Sequence, residues 1–152
     1  MMENKNPRVL IIEDQDVLRV MLFTILRHQP LAVDTAGSVE DALDKVSRCD
    51  YALILIDADL RGGECVRFLS EFKEARPEAT TFVITVRDPN RDAEIDGTLV
   101  HAILNKPLEI DTLAEVVREC AQVVPPPEEP LHCPPAESDV LARFDRSGSL
   151  AN

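Results

Sequence analysis

Acidic residues stand directly after two apolar runs of the sequence. The run at residues 9–12 ends before Glu13 and Asp14, and the run at 53–56 ends before Asp57. If both runs are neighbouring parallel strands, their carboxyl ends meet at one edge of a sheet and the three carboxylates converge there. Such carboxylates repel one another unless protons or a cation neutralise them. A hard divalent ion with oxygen ligands fits this need, and Mg²⁺ fits it best.

A hydroxyl and an ammonium group stand at the ends of two later apolar runs. Thr85 closes the run at 81–85, and Lys106 follows the run at 102–104. A carboxylate that attacks phosphorus needs metal and cationic groups over the charge that develops on the phosphoryl oxygens. Asp57 would be that nucleophile. Each of these residues alone usually has a structural role, but their common position at strand ends indicates phosphoryl chemistry.

Short β-branched runs alternate with segments of helical periodicity from Arg8 onward. This alternation is typical of a parallel sheet covered by helices on both faces. We therefore predict an α/β, doubly wound, flavodoxin-like fold with the strand order 2-1-3-4-5. The five expected strands occupy residues 9–13, 32–35, 52–57, 81–85 and 102–104.

The first two helices have signals at their starts. We expect Asp16 to cap the first helix, which would bury one stripe of apolar side chains: Val17, Met21, Leu22, Ile25 and Leu26. Ser38 followed three residues later by Asp41 resembles a capping box and predicts the start of the second helix.

The later helices differ in the strength of their signals. A third is predicted at 64–75 and a fifth at 110–124, where three consecutive prolines stop it. Only residues 91–96 could form a fourth helix, because turn residues precede them and Gly97 follows. We expect that fourth helix to be short or mobile.

Proline marks the end of the predicted domain. Six of the 11 prolines lie in residues 125–135, which should form an extended spacer. We divide the chain into an N-terminal extension (1–6), one domain (7–124) and a C-terminal tail (125–152). A short helix at 138–146 could dock onto the domain through three apolar side chains, namely Val140, Leu141 and Phe144, and the alternative is a disordered tail.

Charge and composition exclude several classes of protein. The net charge of −12 repels phosphate backbones and anionic lipid, so we expect no nucleic-acid partner. The N-terminus lacks the apolar core of a signal peptide, and no run is long enough to span a bilayer, so we expect a cytoplasmic protein without membrane contact. The four cysteines form no C-x-x-C pair, which argues against zinc.

The chain resembles the receiver domain of two-component response regulators over residues 7–124. The matching segments are VLIIEDQDVLR, ALILIDADLRGG, FVIT and NKPL. The resemblance implies Asp57 as the phosphoacceptor and Lys106 as the counter-charge of the phosphoryl group. It implies Thr85 as the switch hydroxyl and a cis peptide between Lys106 and Pro107. For Mg²⁺ it implies three further ligands besides Asp57, which are Glu13, Asp14 and the backbone carbonyl of Asp59.

The same resemblance implies a role in signalling. The phosphoryl donor would be a histidine kinase or a phosphotransfer protein, and output would pass through contact with a downstream protein. No segment after Val124 is long enough for a DNA-binding or catalytic domain, so we expect a single-domain regulator and not an enzyme. A homodimer involving the tail would be compatible with this function.

Three positions depart from the family pattern. Ile103 replaces the aromatic residue of the switch, Arg61 replaces a proline, and Val86 replaces a small residue. The positions two beyond Asp57 and Thr85 carry opposite charges, as Asp59 and Arg87. We hypothesise that Asp59 and Arg87 pair across the site and slow hydrolysis of the acyl phosphate, although two separate solvated side chains are an equal alternative.

Two other functions fit parts of the sequence. A receiver-like interaction module would keep the fold and signal by binding, with little dependence on phosphorylation; the replaced aromatic residue supports it. A Mg²⁺-dependent phosphatase with an aspartate nucleophile is more distant, because enzymes of that class place their acidic pair after the lysine. Here Glu13 and Asp14 precede the nucleophile.

Overall fold

Five parallel strands form one sheet in the computed structural model, which describes residues 6–91 and 95–141. Their spatial order is β2-β1-β3-β4-β5. This topology confirms the predicted doubly wound α/β fold, and the predicted strand ends differ from the observed ones by one or two residues. The strands are β1 (Arg8–Ile12), β2 (Ala32–Ala36), β3 (Leu53–Asp57), β4 (Phe82–Arg87) and β5 (Ala102–Asn105).

Two pairs of helices cover the sheet. On one face α1 (Asp16–Leu26) packs beside α4 (Ile110–Gln122), and on the other α2 (Val39–Arg48) packs beside α3 (Glu64–Ala75). The third and last of the predicted helices are therefore present as α3 and α4. The chain enters α3 through a short 3-10 turn at Arg61–Gly63.

Alternate side chains of the central strands pack into two separate cores, one on each face of the sheet. Val9 and Ile11 of β1 pack under α1 and α4, while Leu10 and Ile12 pack under α2 and α3; each is at most 1% exposed. This alternation follows from the two-residue repeat of a strand, and both faces are apolar because helices cover both. The sheet is thereby a rigid support for the residues at its carboxyl edge.

Helix α1 buries a different stripe from the predicted one. Leu22 and Leu26 are buried as expected, but Val17 and Met21 are 74% and 44% exposed. Leu18 packs against the core instead. The inward face thus begins one residue later than predicted, and the spacing of Leu18, Leu22 and Leu26 keeps these three side chains on one side of the helix.

The helix starts were predicted with mixed success. The Ser38 hydroxyl accepts a hydrogen bond from the N–H of Asp41 at 3.1 Å, so the predicted cap of α2 is confirmed. At α1 the prediction was one residue late, because Gln15 holds the N-cap position and Asp16 is the first helical residue. The carboxylate of Asp16 still lies in the first turn, where negative charge favours the helix.

The connection from β4 to β5 is irregular where it is described. Residues 88–91 and 95–101 form turns and bends, and residues 92–94 of the predicted fourth helix lie outside the described residues. Ile95 and Leu99 pack against the core on the α2–α3 face. No helix among residues 6–91 and 95–141 has the length and apolar character that crossing a membrane requires.

The tail lies along the outer edge of β2. The N–H of Val33 donates to Ser138 Oγ at 2.7 Å, and the N–H of Thr35 donates to Glu137 Oε1 at 2.6 Å. Both amides belong to an edge strand and would otherwise lack a protein partner on that side. Ala136 and Ser138 are buried in this contact.

A buried ion pair lies beneath the same part of the tail. Asp34 is 2% exposed and accepts hydrogen bonds from Arg8 and Tyr51. It also accepts one from the N–H of Glu137 at 2.8 Å, while Arg8 donates to the carbonyl of Pro134 at 2.6 Å. The tail therefore completes the hydrogen bonding of a buried charge, whose isolation would be costly.

The contact residues of the tail differ from the expected ones. Residues 137–141 are helical, which overlaps the start of the predicted docking helix, but residues 142–152, including Phe144, lie outside the described residues. Val140 is 52% exposed. The hydrogen bonds to β2 come from Ser138 and Glu137, and docking through Leu141 and Phe144 stays a prediction.

Candidate functional site

The sequence-predicted site residues lie at the carboxyl edge of the sheet. β1 leads into Glu13 and Asp14, and β3 ends with Asp57. Thr85 belongs to β4, the neighbour of β3, and Lys106 directly follows β5. The fold thus brings to one edge five residues that are far apart in the sequence.

Lys106 forms an ion pair and hydrogen bonds with Asp57. Its Nζ lies 3.1 and 3.3 Å from the two carboxylate oxygens of Asp57, which is 7% exposed. Burial alone would lower the pKa of Lys106, but its hydrogen bonds to Asp57 and Asp59 and their negative charges raise that pKa above its ordinary value. Lys106 therefore stays positively charged beside Asp57.

Glu13 is a buried carboxyl group in a negative environment. It is 3% exposed, and burial raises its pKa to about 7; the N–H of Gln15 opposes the rise, while Asp57 and Asp14 add to it. The hydrogen bond from Gln15 measures 3.0 Å. A cation next to Glu13 would favour its charged form and offset this repulsion.

Asp14 contacts the loop that follows β3. Its Oδ2 accepts a hydrogen bond from the N–H of Arg61 at 3.4 Å and lies 3.8 Å from Arg61 Nε. The Arg61 side chain is 90% exposed, so this ion pair contributes little to stability. Gly62 and Gly63 follow with φ of 70° and 69°, a left-handed conformation that suits glycine and turns the chain into α3.

Thr85 has a buried hydroxyl without a partner. The residue is 0% exposed, and Oγ1 has no hydrogen bond to any described group. A buried polar atom in this state costs about 1–3 kcal/mol relative to a bonded one. Thr85 is the register partner of Ile56, the residue before Asp57.

Asp59 contacts the other residues of the site through its side chain as well as its backbone. Its carboxylate accepts hydrogen bonds from Lys106 Nζ at 3.2 Å and from the N–H of Asp88 at 3.0 Å. The hypothesised contact with Arg87 is wrong, because Arg87 Nε donates to Asn105 Oδ1 at 3.2 Å. Arg87 and Asn105 are register partners across β4 and β5, which makes Asn105 the nearer acceptor.

A cavity of about 240 Å³ connects the charged groups with an apolar interior. Glu13, Asp57 and Lys106 line its polar end, and Val86 lies at its wall. Aliphatic side chains from α1, β1, β3 and the start of α4 line the rest: Ile11, Ile12, Leu18, Leu22, Leu55, Leu108, Ile110 and Leu113. The three charged groups therefore face a common space.

Two of the carboxylates expected to bind Mg²⁺ lie together, and the third contacts a different group. The carboxylates of Glu13 and Asp57 interact directly, whereas Asp14 points toward the loop after β3. Within the described part of the chain, no three His, Cys, Asp or Glu side chains form a ready metal cluster. Because Mg²⁺ usually combines one or two carboxylates with water, the repelling pair of Glu13 and Asp57 fits such an ion.

Arg19 was missed by the sequence analysis. Its guanidinium donates to the carbonyl of Glu13 at 2.9 Å and to Asp16 at 2.6 Å. It also lies against Gly37, where a Cβ would be 2.8 Å from Nη1. Arg19 therefore holds the backbone that carries Glu13. The three-residue spacing of Asp16 and Arg19 in a helix was the available signal.

Comparison with protein families identifies the class. The family model of the response regulator receiver domain matches residues 9–118. This span includes four complete strands, all of β1 except Arg8, and every candidate residue at the carboxyl edge. The chain therefore belongs to the response regulator receiver domain family, as the resemblance indicated. The Lys106–Pro107 peptide is cis, as that resemblance also implied.

Individual relatives are moderately similar to the chain. The transcriptional regulatory protein PmrA of Pectobacterium parmentieri is 28% identical over 113 residues, which are 73% of this chain and 50% of that protein. The sporulation initiation phosphotransferase F of Bacillus subtilis is 24% identical over 117 residues, covering 75% and 93%. The chain thus spans about half the length of PmrA and most of the second relative.

A solved structure shares this fold. The response regulator TrrA of Thermotoga maritima, in complex with Mg²⁺ and BeF, superposes with a TM-score of 0.64 and 21% identity. The match covers 75% of this chain and 98% of that one. At this identity the likeness shows the fold alone.

Proposed function

We propose that this chain is a response regulator of a two-component phosphorelay that accepts a phosphoryl group on Asp57. The observation that carries the proposal is the pairing of charged Lys106 with Asp57, while the neighbouring strand β4 carries the buried and unpartnered hydroxyl of Thr85. Two hydrogen-bond donors of this kind suit the oxygens of a phosphoryl group bound at Asp57.

The proposed reaction is a phosphoryl transfer from a phosphohistidine. An oxygen of Asp57 attacks phosphorus, the P–N bond breaks, and the imidazole leaves as an acyl phosphate forms. Lys106 then moves its hydrogen bonds from Asp57 to the added phosphoryl oxygens, and the Thr85 hydroxyl donates a hydrogen bond to one of them. The donor is a histidine kinase or a phosphotransfer protein, and a downstream protein reads the result.

Mg²⁺ belongs to this proposal as a bound ion. Its ligands would be the carboxylates of Glu13, Asp14 and Asp57 and the carbonyl of Asp59. When bound, the ion would neutralise charge on the phosphoryl oxygens. The raised pKa of Glu13, which burial causes and the charges of Asp57 and Asp14 increase, supports the proposal, since a cation at this position would favour the charged form of Glu13.

Labelling with acetyl phosphate tests the proposal. In Mg²⁺ the full chain should gain the mass of one phosphoryl group, and chelation of Mg²⁺ should prevent the gain. Asp57→Asn should stay unlabelled, whereas Asp44→Asn, which changes an exposed carboxylate of α2 paired with Arg48, should label like wild type. Equal labelling of Asp57→Asn would contradict the proposal.

A receiver-like interaction module is the second candidate. Ile103 stands in place of the switch aromatic and is 37% exposed, and the described residues between β4 and β5 include no helix. Both features affect the face through which phosphorylation would be relayed. A wild-type chain that acetyl phosphate and cognate kinases leave unmodified would favour this function. Catalytic release from p-nitrophenyl phosphate would instead favour the phosphatase.

A further inference from the structure

Cys133 of the tail meets the domain beside Cys49. The Cys133 thiol lies 3.6 Å from the carbonyl oxygen of Arg48, to which it donates, and Cys49 is the next residue, at the C-cap of α2. Cys133 packs against the core cluster that contains Cys49, which is 4% exposed. Both thiols are free. Two cysteines 84 positions apart in the sequence therefore lie at one contact.

The Cys133 thiol also affects the pKa of Cys49. Burial raises the pKa of Cys49 to about 11, and a hydrogen bond with the Cys133 thiol is the next contribution. The positive charge of Arg8 opposes the rise, and the negative charge of Asp34 adds to it. The contact of Cys133 with the carbonyl of Arg48, the residue before Cys49, places both thiols at the same end of α2, and a disulfide there requires Cα atoms within about 7 Å.

We propose that Cys49 and Cys133 form an oxidisable pair, which an external disulfide such as oxidised glutathione converts into an intramolecular bond. This inference does not depend on phosphorylation of Asp57. The bond would fasten the tail to the end of α2. Since residues 137 and 138 of the same tail cover the amides of Val33 and Thr35, it would also fix the tail on the edge of β2.

The reaction proceeds by two exchanges. The thiolate of Cys133, the more exposed of the pair, attacks one sulfur of oxidised glutathione and releases the first glutathione thiolate. The thiolate of Cys49 then attacks the Cys133 sulfur of the mixed disulfide and releases the second. Two protein thiols are oxidised, one external disulfide is reduced to two thiols, and the two protons from the protein thiols go to the released thiolates.

The consequence is a tail whose release depends on redox state. In the reduced chain only non-covalent contacts, such as that of Arg8 with Pro134, hold the tail. In the oxidised chain the tail cannot leave the edge as a whole, because its middle is covalently attached to the domain. The disulfide also restricts the unfolded chain, which adds to stability.

Peptide mapping of the full chain after incubation with oxidised glutathione tests the proposal. The expected product links position 49 to position 133 and is lost in both Cys49→Ser and Cys133→Ser. The double variant Cys65→Ser with Cys120→Ser, which changes cysteines of α3 and α4, should keep the link. A stable mixed disulfide at Cys133, or a bond from Cys133 to a different cysteine, would overturn the proposal.

Two further readouts separate a specific pair from accidental oxidation. Because only thiolates attack, and Cys49 has a pKa of about 11, the second exchange should accelerate about tenfold for each pH unit between pH 7 and 9. Amide exchange at Val33 and Thr35 should slow at least about tenfold on oxidation. A bond that leaves exchange at both amides unchanged would contradict the proposed fastening of the edge.

Discussion

At the scale of single residues, the site combines predictable positions with partners that only the folded chain reveals. Glu13, Asp57 and Thr85 could be placed from the sequence because the ends of parallel strands share one edge. The side chain of Asp59 could not, because its bond to Lys106 depends on the rotamers of both residues and on the course of the loop after β3.

Removing the unpartnered hydroxyl of Thr85 should raise the stability of the chain and weaken the binding of a ligand. Thr85→Val keeps the shape and removes the orphaned group, so the chain without ligand should become more stable by about 1 kcal/mol in urea unfolding. Binding of beryllofluoride with Mg²⁺ should weaken about tenfold, which corresponds to one lost hydrogen bond. The unfolding curves and a fluorescence or calorimetric titration provide the two measurements.

A matched control is available in Thr81. Its hydroxyl donates to the carbonyl of Tyr51 at 2.8 Å, so Thr81→Val should destabilise the chain by about 1 kcal/mol and leave beryllofluoride binding unchanged. If Thr85→Val also destabilises the chain, or if it binds the analogue as tightly as wild type, the assignment of the hydroxyl is wrong.

At the scale of elements, the sequence predicted which segments are strands and helices, and their order, better than which face of each helix is buried. In α1 two apolar sets satisfy the helical repeat, one containing Val17 and Met21 and one containing Leu18 and Leu22. Periodicity could not choose between them, since only the crossing of the helix over the sheet decides which set points inward. The fourth predicted helix spans only residues 91–96, which is too short for a helical repeat to define its buried face.

The orientation of α1 predicts very different effects of two similar substitutions. Leu22→Ala removes a buried side chain, 5% exposed, and should cost about 2–5 kcal/mol. Val17→Ala changes a side chain that is 74% exposed and should alter stability by less than about 0.5 kcal/mol. Denaturant unfolding of both variants measures this, and equal costs would mean that the predicted stripe was right after all.

At the scale of the whole molecule, the tail adds a polar cover to the free edge of the sheet. Its proline content predicted a spacer, and its contacts were hidden because they join backbone amides and side chains about 100 positions apart, such as Val33 and Ser138. No local pattern encodes such bonds. The domain boundary at residue 124 and the cytoplasmic location stay predictions from the sequence.

The hydrogen bonds between the tail and the edge of β2 predict how a chain shortened after Val124 behaves. The amides of Val33 and Thr35 should lose their protection from hydrogen exchange, whereas the amide of Ala32, which donates to Pro7 at 2.9 Å, should keep it. Loss of the two edge bonds should lower stability by about 2 kcal/mol. Unchanged exchange at Val33 in the shortened chain would show that the tail does not protect the edge.

The central claim concerns the atom that carries the phosphoryl group. Borohydride reduces an aspartyl phosphate to homoserine, so peptide sequencing by mass spectrometry after labelling with acetyl phosphate and Mg²⁺ locates the modified residue. We predict homoserine at position 57 and unmodified aspartate at positions 14 and 59. Homoserine at Asp14 or Asp59, or at no acidic residue of a labelled chain, would contradict the assignment of Asp57 as the phosphoacceptor.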